Sequence, residues 1–207
     1  MIKIKSSIDN ISEYQCGNLP LNAVKLKTPT TNDIPKKSFP IAVFMCVIMF
    51  ISMFCKTFIS RMPVTKPVFI MIGVASGIAL LLVHELLHTI VYPKNAVVTI
   101  GKLKNKLIFV ALASYPLKRS RFIIMCLLPL ILGIVPLTIF LYSSPYLTTL
   151  NGIMFGMACI GMVSPYPDIY NVGIILKQAE KGDLIMFYKD EMYRIPNQKN
   201  TINSDLS

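Results

Sequence analysis

Four stretches of this chain are long, apolar and almost free of charge, and they restrict the folds open to it more than any other feature. They run from Phe39 to Ile59, Val68 to Tyr92, Phe122 to Tyr142, and Tyr146 to about Leu176. Each is long enough to cross a hydrocarbon core, which takes about 20 apolar residues as helix. The only charged side chains inside them are Lys56, Glu85 and Asp168. Lipid offers the backbone no hydrogen-bond partner, so helix is the natural form for all four. The expected fold is mainly α: a polytopic membrane protein with about four transmembrane helices, the fourth broken near 165–167 by Pro165 and Pro167. Composition agrees, because 15% of the residues are charged where a soluble domain has about 25%.

The net charge of +11 follows from topology and does not point to nucleic acid. With four spans, the N-terminal segment, the connection between the second and third helices, and the C-terminal segment share one side. Of the 21 basic residues, only Lys56, Arg61 and Lys66 fall on the other. An excess of Lys and Arg marks the cytoplasmic face, so the expected location is the cell membrane, multi-pass, with both termini cytoplasmic. Residues 1–38 read as a polar cytoplasmic leader without the short apolar core of a cleavable signal. Residues 39–176 form the membrane domain and 177–207 a cytoplasmic tail. The five cysteines have no paired spacing and read as small buried hydrophobes.

Two segments outside the apolar runs are β-prone. Val97–Ile100 and Leu107–Ala113 predict a hairpin on the cytoplasmic side, and Leu184–Tyr188 with Met192–Ile195 predict a second one around Lys189–Glu191. A small cytoplasm-side β element therefore accompanies the helices.

The second apolar run carries His84-Glu85-Leu86-Leu87-His88, an HExxH pattern on a predicted helix. Histidines four apart project from one helical face, so both imidazoles reach one metal, and the intervening glutamate is placed to take a proton from water. The chain has only two histidines, and both are here. Ionisable groups inside a spanning helix are costly and mark functional sites. Zn²⁺ is the expected cofactor.

A catalytic zinc site needs a third protein ligand and one open position. With no third histidine, a carboxylate or thiolate must serve. Asp168 is the first candidate, because prolines break the helix around it and irregular backbone at membrane depth is tolerated where it lines a protein cavity. Cys159 is the weaker one. Asn171 and Tyr170 are weak candidates for stabilising an oxyanion. Gly73-x-x-x-Gly77 and Gly152-x-x-x-Gly156 are spaced for close helix approach, and Gly73, Gly77, His84 and His88 fall on one face of a 3.6-residue period.

From about Val83 to Ile195 the chain resembles the putative zincin peptidases, a family of bacterial membrane proteins. The likeness rests on the His84–His88 motif, the β-prone stretch after it, Lys118-Arg119-Ser120-Arg121-Phe122 with Pro129 in the third helix, and the Pro167-Asp168 segment ending at Asn171. The layout is also similar to site-2 proteases, with Tyr166 where Asn is usual and Ile169 where Gly is usual. The resemblance implies zinc held by His84, His88 and Asp168, with Glu85 as the catalytic residue. It also implies hydrolysis of peptide bonds in a protein or peptide substrate associated with the lipid bilayer. The alternative is a non-catalytic metal-binding membrane protein, or a pseudoprotease that binds partner helices. A metal transporter is disfavoured, because no chain of ionisable residues crosses the membrane.

Overall fold

The computed structural model describes residues 2–29, 33–104 and 109–197. It is 56% helix. The expected turn residues Asn105 and Lys106, the strand start at Leu107 and Ile108, and tail residues 198–207 lie outside the described residues. The chain divides into two compact units that are each discontinuous in sequence. One comprises Lys37–His84 and Leu127–Ile169; the other comprises Met1–Lys36, Glu85–Cys126 and Tyr170–Ser207.

The first unit is helical. Helix α1 spans Ile34–Ser60, and three phenylalanines one turn apart form a ladder along its exposed side. The Phe50 and Phe54 rings lie 6.4 Å apart, and those of Phe54 and Phe58 5.9 Å apart. Helix α2 (Pro67–Ala79) opens on Pro67, whose missing N–H is no loss in a first turn. Leu80 forms a turn between α2 and α3 (Leu81–Ile90) that leaves the hydrogen-bond ladder intact: its N–H donates to the Ser76 carbonyl at 3.0 Å and its carbonyl accepts from the His84 N–H at 2.9 Å. Pro67–Ile90 thus remains one apolar helix of 24 residues. Helix α4 (Arg119–Leu127) passes through a 3₁₀ turn at Leu128–Leu130 into α5 (Ile131–Tyr142). The turn tightens around Pro129, which has no N–H to donate.

Among the described residues three helices are long and apolar enough to cross a membrane: Ile34–Ser60, Pro67–Ile90 and Arg119–Tyr142. The fourth apolar run is divided. Helix α6 (Thr148–Val163) stops at Ser164, and α7 (Tyr166–Gln178) starts after Pro165. At 1.5 Å per residue, the 16 residues of α6 reach only about 24 Å, short of the ~30 Å hydrocarbon core. The reason is chemical: neither Pro165 nor Pro167 can continue the N–H ladder, whereas Pro167 fits the first turn of a new helix.

Helices α2 and α5 both pack on α6, and the glycines decide how closely. A Cβ on Gly73 would lie 2.2 Å from the Ile153 carbonyl oxygen, and one on Gly156 would lie 2.3 Å from that of Ile70. These obstacles are backbone atoms, so any larger side chain forces the two helices apart. The two small-residue motifs read from the sequence are thus the two faces of one helix pair. The core beside them is Met49, Val64, Phe140, Phe155, Ala158 and Met162, with the Phe140 and Phe155 rings 5.0 Å apart.

Lys56 is buried at the α5–α6 end of this unit, 8% exposed. Its ammonium donates to the Phe140 carbonyl, to the Ser143 carbonyl at 2.9 Å and to Asn151 Oδ1 at 2.8 Å, and it lies 4.6 Å from the centre of the Phe140 ring. Carbonyls at a helix C-terminus lack intrahelical donors and carry the negative end of the dipole. Lys56 therefore caps α5 from another helix, which is why a charge is tolerated in the first apolar run.

The second unit holds two sheets. In one, β1 (Ile2–Ile8) lies parallel to β3 (Val98–Leu103), which pairs antiparallel with β4 (Phe109–Ala113). The other has the order β2-β7-β6-β5, from Val24–Lys25, Glu191–Ile195, Leu184–Tyr188 and Leu117–Lys118. The β6–β7 hairpin turns on Lys189 and Asp190, with φ of 47° and 67°, the left-handed pair that a two-residue turn matched to strand twist requires. Lys25 and Glu191 tie β2 to β7 by a hydrogen bond that raises the lysine pKa and lowers that of the carboxyl. The segment before α1 thus supplies one strand to each sheet, β1 beside β3 and β2 beside β7.

Candidate metal centre

Helix α3 carries the motif. His84 and His88 are buried, at 6% and 9% exposure, and Glu85 is half-buried. One donor atom from each of the three lies within 4.8 Å of the other two, which makes them a group able to hold a metal ion. The cause is local: residues i and i+4 of a helix stack on one face.

Asp168 occupies the first turn of α7, where the helix dipole favours a carboxylate. Its Oδ2 lies 3.3 Å from His84 Nε2. That separation bears directly on zinc. Two ligands at about 2.0–2.1 Å from a tetrahedral ion stand about 3.3–3.4 Å apart, so the pair already has the spacing of two ligands of one metal. The donor set of nitrogen and carboxylate oxygen is also zinc's own, and on both counts the residues fit the ion.

The outer faces of the imidazoles are held too. His88 Nδ1 lies 2.9 Å from the Met125 carbonyl oxygen. A carbonyl only accepts, so Nδ1 carries the proton and Nε2 is left as the lone-pair donor. A backbone carbonyl in this position is a recurrent outer partner of metal-ligating histidines. Ser164 Oγ stands 3.5 Å from His84 Nδ1, a long contact on the corresponding side of the other ring. Sequence reasoning missed both partners. A backbone carbonyl has no signature in the sequence, and Ser164 reads only as a residue at a helix break.

Cys159, the alternative third ligand, is partly buried against the Met49–Met162 core; neither it nor Asp168 is in the His84, Glu85 and His88 group found among the described residues, and Asp168 approaches that group through His84. Asn171 follows Asp168 by three residues on α7; its carboxamide oxygen is buried and without a hydrogen-bond partner among the described residues.

One of the helices long and apolar enough to span a membrane thus carries a His-Glu-His group able to hold a metal ion, with an aspartate beside its first histidine. Residues 77–182 match the model of a family described as putative zincin peptidases. The match covers just over half of the chain, and the chain belongs to that family. No curated protein and no solved structure matches it.

Proposed function

We propose that this chain is a membrane-embedded zinc metallopeptidase that hydrolyses peptide bonds of membrane or membrane-proximal proteins. The observation that carries the reading is the 3.3 Å approach of Asp168 Oδ2 to His84 Nε2, which joins a carboxylate from α7 to the His-Glu-His group of α3. His84, His88 and Asp168 would hold the ion. Zinc, when bound, supplies Lewis acidity that brings the pKa of water near 7 and polarises a scissile carbonyl.

The chain's own residues do the rest. The Met125 carbonyl fixes the His88 tautomer, so that Nε2 would be the nitrogen that holds the ion. Glu85 takes a proton from the attacking water and returns it to the leaving amine nitrogen, working as general base and then as general acid. The membrane setting rests on the three long apolar helices and on exposed side chains such as Phe44, Phe50, Phe54 and Phe58, a surface suited to lipid. The basic bias supports a cell-membrane protein with both termini in the cytoplasm. A spanning substrate must be locally unwound before attack, because a helical peptide bond is closed to a nucleophile.

The reading is tested with the full chain in lipid vesicles, offered β-casein outside and a single-span apolar peptide within the bilayer. Zinc-dependent cleavage of either, abolished by 1,10-phenanthroline and restored by added Zn²⁺, is expected. Cleavage indifferent to chelation, or none of either substrate by zinc-loaded protein, would contradict it.

A further inference from the structure

One polar group near the candidate centre has no structural use. The Asn171 carboxamide oxygen is buried and accepts no hydrogen bond among the described residues, while the residue as a whole is only partly buried. A buried acceptor left unpaired is destabilising, and replacing it with an apolar group of similar shape is neutral or favourable. Folding alone therefore gives no reason for an asparagine here. Its place on α7 supplies one. Residues i, i+3, i+4 and i+7 share a helix face, so Asp168, Asn171, Val172 and Ile175 lie together on the face that buries Val172 and Ile175. Side chains three apart on a helix are neighbours, with Cβ atoms about 5–6 Å apart. The orphaned oxygen thus sits one turn beyond the proposed aspartate ligand.

What it lacks identifies what it would bind. An unpaired carbonyl oxygen needs a donor, so Asn171 does not meet an oxyanion with this atom. Peptide substrates bring one N–H per residue beside the scissile carbonyl. Building on the metallopeptidase reading, we infer that Asn171 is a substrate-positioning residue whose Oδ1 accepts a backbone N–H of the peptide next to the bond to be cut. The inference extends the site from metal chemistry to peptide recognition. It also accounts for the tolerated orphan: the donor arrives with the substrate, and a destabilised site is a common cost of function.

The test compares wild type with Asn171→Leu, both zinc-loaded, using two probes. Acetohydroxamate chelates zinc and carries no peptide amides; a hydroxamate bearing a Leu-Ala peptide adds backbone N–H groups. Asn171→Leu should bind acetohydroxamate as wild type does and the peptide hydroxamate about tenfold more weakly, the scale of one lost hydrogen bond. Its zinc content should be unchanged and its thermal midpoint equal to or above that of wild type. Equal loss of both probes would make Asn171 part of the metal site, and no loss of either would remove it from recognition; each overturns the inference. So would a lower midpoint, which would make the carboxamide structural, with Asn171→Ala as the check on side-chain volume. If wild type itself binds neither probe, the metallopeptidase reading falls, and the inference with it.

Discussion

Glu85→Gln is expected to lower peptide cleavage by about 10²–10⁴-fold, the usual contribution of a positioned general base, while leaving zinc in place. The substitution keeps the side chain's length and volume but replaces a carboxylate with an amide that cannot carry the proton from water to the leaving nitrogen. Glu85 is half-buried on α3 between two buried histidines, so the near-isosteric change disturbs packing little. The measurement pairs initial rates on the vesicle-embedded peptide with zinc analysis of the same preparation. Cleavage within tenfold of wild type would take Glu85 out of the chemistry. Loss of zinc along with activity would recast it as a ligand.

The second large effect is on the metal itself. Asp168→Ala and His88→Ala should each lower zinc affinity by more than the 10–100-fold that loss of an outer partner costs, because each removes one of the three proposed ligands. Ser164→Ala, which removes only the 3.5 Å neighbour of His84 Nδ1, should stay at or below that range. Competition with a fluorescent zinc chelator resolves the two classes. An Asp168→Ala protein with wild-type affinity would show that the carboxylate is a salt-bridge partner of His84 and nothing more.

Much of this arrangement was legible from the residues. HExxH announces itself because helix geometry alone brings His84, Glu85 and His88 together. The Gly73/Gly77 and Gly152/Gly156 motifs correctly paired α2 with α6, since only backbone contact explains small residues at that spacing in apolar helices. Proline marked the break before Asp168, although the 16-residue α6 that results leaves three helices of full spanning length among the described residues where about four were expected. The turn at Lys189 and Asp190 was legible as well, because the β-prone stretches flank it.

The remainder depends on long-range pairing. Strand β1 alternates Ile2, Lys3, Ile4 and Lys5, a period that could have been read as a strand. Nothing local says that it runs parallel to β3, nearly a hundred residues away in sequence. The sheet β2-β7-β6-β5 likewise gathers three distant segments. Lys56 looked like a charge at a helix end, and only the positions of Phe140, Ser143 and Asn151 reveal a cap for α5. The same holds at the site: the Met125 carbonyl and the solitary Asn171 oxygen are properties of the folded chain.

Zinc K-edge X-ray absorption on the purified, metal-loaded protein tests the central claim most directly. Two imidazoles and one carboxylate on a single ion predict one zinc per chain and a first shell of nitrogen and oxygen alone at about 2.0–2.2 Å, with imidazole outer-shell scattering from two rings that falls to one in His88→Ala. A shell containing sulfur at about 2.3 Å, or zinc that binds without imidazole scattering, would contradict it.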